Sequence, residues 1–77
     1  MKCIIYKNPT LHSHEVDIAV SFMTWQNINV EIREDLGRIC RISKGRSIVF
    51  AAEFYGQEFW DCMSLIDYFR KQGLCLC

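Results

Sequence analysis

The chain has 77 residues, 51% hydrophobic and 13% aromatic, with nine basic and nine acidic side chains. That suits one small domain spanning residues 1–77, burying roughly 60% of its unfolded surface, and is too apolar for a disordered chain. The balanced charge argues against a nucleic-acid footprint, and no apolar run reaches the ~20 residues of a membrane span.

No signal-peptide pattern opens the chain, so a cytoplasmic location is expected. The five cysteines, Cys3, Cys40, Cys62, Cys75 and Cys77, are odd in number and scattered, and read as reduced thiols.

Lys2 to Lys7 is short, β-branched and aromatic, and Asn8-Pro9 ends it, so it reads as a buried strand. Ser13 is a good N-cap, with Glu15 and Asp17 suiting the first turn of a helix. Ile18, Ala19, Phe22, Met23 and Trp25 then fall at helical spacing, which predicts a helix from about Ser13 to Gln26 with one buried face. Ile28 to Glu34 alternates apolar and polar residues, the pattern of a strand with one face covered.

Leu36 to Gly45 is punctuated by Gly37 and Gly45 and fits either a strand or a shortened helix. Ser47 to Ala52 is a continuous apolar run of strand length. Phe54-Tyr55-Gly56 reads as a turn into a weaker edge strand. Asp61 caps a final helix whose stripe is Met63, Leu65, Ile66 and Phe69, with Arg70 and Lys71 at its negative end and Gly73 closing it. Residues 73–77 read as a flexible tail. The order is strand, helix, strand, connector, strand, turn, strand, helix. It predicts a parallel pair followed by an antiparallel hairpin in one mixed four-stranded sheet.

This order, with a proline-bearing loop leading from a first strand into a helix, resembles the glutaredoxin and thioredoxin-like family. The resemblance implies a small α/β thioredoxin-like fold with a β-α-β start and a β-β-α end, its second helix shortened or lost. It also sets the positions of the family's Cys-x-x-Cys pair at Leu11 and His14, and that of its cis-proline at Ser47. Gln57-Glu58 stand where the family has Gly-Gly. With no sulfur at the first pair, the resemblance implies a redox-inactive module, not an enzyme and without a cofactor. Its partner would be another protein, in the manner of a phage-type inhibitor or adaptor.

The expected binding face is the former active-site end: Leu11, His12, His14, Ser47, Tyr55 and Trp60. Arg38 and Arg41, with Lys44 and Arg46, add a basic patch suited to an acidic partner, and an open edge strand could pair with a second copy. Trp and Tyr are typical interface anchors, which draws attention to Phe54, Tyr55, Phe59 and Trp60.

Two rival readings come from other classes. Cys75 and Cys77 could exchange with disulfides, although their neighbours do nothing to stabilise a thiolate. His12 and His14 could bind a metal with those two thiols, although two exposed loop histidines are the plainer account and no metal is expected. Cys3 and Cys62 read as small buried hydrophobes. Cys40 lies between two arginines, away from the expected site.

Overall fold

A computed structural model describes residues 2–46 and 49–73. Its elements are β1 (Lys2–Lys7), α1 (His14–Trp25), β2 (Asn29–Glu34), α2 (Leu36–Ser43), β3 (Phe50–Phe54), β4 (Gln57–Phe59) and α3 (Cys62–Lys71). The strands form one sheet in the order β2-β1-β3-β4. β1 runs parallel to β2, with Ile5 opposite Ile32. It runs antiparallel to β3, with Ile5 opposite Ala52, and β3 and β4 form an antiparallel hairpin.

Strand alternation sorts the side chains onto two faces. Cys3 and Ile5 of β1, with Phe50, Ala52 and Phe54 of β3, pack under α1 and α3 against Val16, Met23, Leu65 and Phe69. Phe54 and Phe69 stack with centroids 5.8 Å apart, and Phe22 meets Phe69 edge-on at 5.5 Å. The opposite face presents Tyr6 and Ala51, which are covered by Ile39 and Ile42 of α2. The sheet therefore lies between two helical layers.

The uncertain connector is the short helix α2. Asp35 is its N-cap, its carboxylate accepting from the Arg38 backbone N–H at 2.9 Å. Ile39 and Ile42, three apart, supply the buried stripe. Lys44 ends it in the left-handed conformation, with φ of 55°. Eight residues bury little apolar surface, but one turn of stripe is enough to cover Tyr6 and Ala51.

Several expectations need correction. In α1 the buried residues are Val16, Ala19 and Met23, whereas Ile18 and Trp25 are 49% and 72% exposed. The helix turns the stripe through Val16 to the sheet, which leaves Ile18 and Trp25, seven residues apart, on the outer surface. Met63 is likewise exposed at the start of α3. The strand expected over Ser47–Ala52 is found at Phe50–Phe54, Ser47 and Ile48 being outside the described residues. Phe54 belongs to the strand and is buried, so the turn is only Tyr55-Gly56. β2 has one face only partly covered, since Ile32 is exposed.

β2 and β4 are the sheet's edges. β2 carries Glu31, which pairs with Lys2 and Arg33, and Glu34, 3.6 Å from Lys7. These contacts hold Glu31 below the usual carboxylate range, the Lys2 hydrogen bond first. No described helix is long and apolar enough to cross a membrane.

Candidate functional site at the mouth of the first helix

The loop from β1 to α1 is built by local hydrogen bonds. The Asn8 side-chain oxygen accepts from the Thr10 backbone N–H at 2.8 Å and from its hydroxyl at 2.7 Å. This is the side-chain-to-backbone turn that Asn favours beside a proline. Ser13 then caps α1, its hydroxyl accepting from the Glu15 N–H at 3.2 Å. With both ends tied, the loop holds Leu11, His12 and His14 out from the surface, and Leu11 is 47% exposed. A cleft of about 290 Å³ runs along it, lined by Lys7, Pro9, Leu11, His12 and Asp17 among others.

At the same end of the sheet α3 begins. Asp61 caps it, accepting from the Met63 N–H at 3.1 Å. The Glu15 carboxylate accepts from the Cys62 N–H at 3.4 Å, so two helix N-termini meet around one acidic side chain. A carboxylate suits that location, where unpaired N–H groups and aligned dipoles favour negative charge.

Two of the three described thiols, Cys3 and Cys62, are buried. Cys3, Cys40 and Cys62 are free. Burial pushes the Cys3 thiol up to about 12. Cys62 is pushed up to about 11, by burial first and then by the Glu15 and Asp61 charges. Neither holds a useful thiolate fraction near neutral pH. Cys40 is exposed on α2, on the opposite helical layer from α1. Cys75 and Cys77 lie outside the described residues.

The six residues expected to form one face divide into separate places. Leu11, His12 and His14 stay together at the α1 mouth. Tyr55 does not join them. Phe54 pairs with Cys3 while Phe50 pairs with Lys7, so the Tyr55-Gly56 turn lies at the opposite end of the sheet. Trp60, 40% exposed, follows β4 toward the α1 end but faces a second cleft of about 290 Å³ with Ser43, Lys44, Arg46 and Glu58. The Arg46 guanidinium lies 5.6 Å from its ring centroid, and the buried Ser43 hydroxyl in that cleft has no hydrogen-bond partner. Ser47 is outside the described residues.

Arg38 and Arg41 have internal partners. Arg38 reaches Glu53 at 3.1 Å and stands over the Tyr6 ring at 5.6 Å, and Arg41 reaches Glu58 at 3.5 Å. The patch is thus partly neutralised by the adjacent hairpin. The aromatic cluster also divides: Phe54 is core, Phe59 packs on Tyr68 at 5.3 Å, and only Tyr55 and Trp60 are exposed.

One residue of the α1 mouth was not singled out as a site in the sequence. Asp17 Oδ2 lies 3.2 Å from His12 Nε2, and the His12 and His14 rings meet edge-on with centroids 5.4 Å apart. The available signal was the spacing His12-x-His14-x-x-Asp17, which puts the last two on one helix face.

Comparison with family models, with curated proteins and with solved structures finds no match to this chain. Its chemistry therefore rests on its own residues.

Proposed function

We propose that the chain is a redox-inactive thioredoxin- or glutaredoxin-like module that binds another protein through the mouth of α1. The observation carrying this reading is that His14 is the first residue of α1, directly after the loop from β1, with Leu11 exposed three residues earlier. In the family that the chain resembles, those two positions hold the exchanging sulfurs. Support also comes from the element order and from a sheet in which only β3 opposes the other strands.

With no sulfur at those two positions, the mouth of α1 offers an exposed apolar side chain and two imidazoles, one on the braced loop and one on the first turn of the helix, which costs little ordering entropy on binding. The module would act by occupancy and not by turnover. Trp60 extends the contact toward the α2 side.

The test pairs two measurements on the purified full chain. Insulin or mixed-disulfide reduction should stay at background. Capture of a partner from the native host, identified by mass spectrometry, should be lost on Leu11→Asp and kept on Tyr55→Ala, which alters the far end. Robust reduction that disappears in a Cys75→Ser, Cys77→Ser double variant would replace this reading with a thiol oxidoreductase.

A further inference from the structure

We propose that His12, His14 and Asp17 form a binding site for a divalent transition-metal ion, zinc being the best fit. One donor atom from each of the three lies within 4.8 Å of the others. One pair, His12 Nε2 and Asp17 Oδ2, is 3.2 Å apart. Ligands held about 2.0–2.1 Å from a tetrahedral ion are roughly 3.3–3.5 Å from one another. That pair is already at coordination spacing, and His14 needs only a side-chain adjustment to reach it.

The backbone supplies the convergence. His14 and Asp17 are three apart on the first turn of α1 and so share a face. His12 approaches from the loop, whose path is fixed by the Asn8 turn before it and the Ser13 cap after it. The two rings meet edge-on at 86° and are not stacked on one another.

The donor set selects the ion. Two imidazoles and one carboxylate suit zinc and its neighbours in the first transition row, whereas calcium and magnesium prefer oxygen alone. Three protein ligands leave one tetrahedral position for water or for a donor from outside the chain. The positive end of α1 opposes a cation, weakening binding by about two- to fivefold, and the Asp17 carboxylate offsets this directly. All three side chains are exposed, so the site is open to solvent. The proposal stands apart from the redox-inactive reading, because it needs neither the family resemblance nor a partner.

The test is calorimetric titration of the reduced full chain with zinc chloride, alongside the cobalt(II) absorption spectrum. One equivalent should bind. His12→Ala, His14→Ala and Asp17→Asn should each weaken binding at least about tenfold, since even outer-shell changes at metal sites cost 10–100-fold. The Cys75→Ser, Cys77→Ser double variant should bind as the wild type does, and bound cobalt should show no thiolate charge-transfer band. In the wild-type chain, zinc should shift the His12 and His14 ring resonances, a readout independent of whether any variant folds. No stoichiometric binding, binding unaffected by Asp17→Asn, ring resonances that do not move, or loss in the cysteine double variant would each overturn the site.

Discussion

Glu15 Oε1 accepts the backbone N–H of Cys62 across 3.4 Å, joining the first turn of α1 to the first turn of α3. One carboxylate thereby satisfies a helix-end donor on a second element and adds its charge beside a buried thiol. Burial raises the Cys62 pKa most, and the Glu15 charge raises it further. Glu15→Gln keeps an acceptor for the N–H but removes the charge. The Cys62 pKa should fall from about 11, while burial keeps it above 9.0. Alkylation rate against pH, read for the Cys62 peptide by mass spectrometry, measures this. A rate profile identical to wild type would show that Glu15 does not act on the thiol.

The raised thiols also make stability depend on pH at the alkaline side. Cys3 rises from 9.0 to about 12 on folding and Cys62 from 9.0 to about 11. The unfolded chain therefore loses these protons first as the pH climbs. The contribution is intact below pH 9 and is lost progressively up to about pH 11 for Cys62 and about pH 12 for Cys3. Within that window each thiol adds a decline of about 1.4 kcal/mol per pH unit. Tyr6, raised above 10.0 by burial first and then by its hydrogen bond to Glu53, steepens the upper part. Urea unfolding from pH 8 to 10.5 should show falling stability, and Cys3→Ala should flatten the slope even though it lowers stability at pH 8. A slope unchanged by Cys3→Ala would remove the thiol from the account.

Much of this arrangement was legible in the residues, and the gaps have physical causes. Ser13 and Asp61 were readable as caps because short polar side chains before apolar periodicity have few other uses, and both cap. The α2 helix was left open because Gly37 falls in its first turn and only Ile39 and Ile42 form its stripe. Periodicity needs more than one turn to be distinguished from alternation. The α1 stripe was rotated because a run containing Val16, Ile18, Ala19, Val20 and Phe22 supports more than one apolar face, and only packing on the sheet decides between them. Leu11 and His14 were placed correctly at the mouth of α1, since sequence neighbours stay neighbours there. Tyr55 was misplaced because which end of a sheet a hairpin turn occupies depends on register across β1, a non-local fact.

Two aromatic residues, Phe69 of α3 and Trp25 of α1, should differ sharply in their effect on stability. Phe69 is fully buried and touches the rings of both Phe22 and Phe54. Phe69→Ala should cost about 3–5 kcal/mol, combining lost transfer free energy with a cavity. In so small a domain that approaches the whole stability, so a partly unfolded circular dichroism spectrum is an accepted form of the result. Trp25, 72% exposed, should change stability by no more than about 0.5 kcal/mol on substitution by Ala. Chemical denaturation of the pair checks this. A large loss at Trp25 would mean the stripe read from the sequence packs after all.

The hairpin turn offers a gain in stability. Tyr55 and Gly56 are the two residues between paired Phe54 and Gln57, with φ of 56° and 74°. Positive φ at both positions is the pattern of the type I′ turn, whose twist matches that of the strands it joins. Glycine adopts that conformation without penalty. A bulky aromatic does not, at a cost of roughly 1–2 kcal/mol. Asn tolerates it, and Asn-Gly is the favoured pair for this turn. Tyr55 is held there in part by its ring against Phe54, centroids 4.6 Å apart, a contact worth about 0.5–1.5 kcal/mol. Relief of the backbone should exceed the lost ring contact modestly, so Tyr55→Asn should stabilise the chain by about 0.5 kcal/mol, seen as a higher urea midpoint at constant slope. Tyr55→Ala keeps most of the strain and loses the ring, and should be less stable than wild type. The opposite order of the two variants would mean that the aromatic contact, not the backbone, governs this turn.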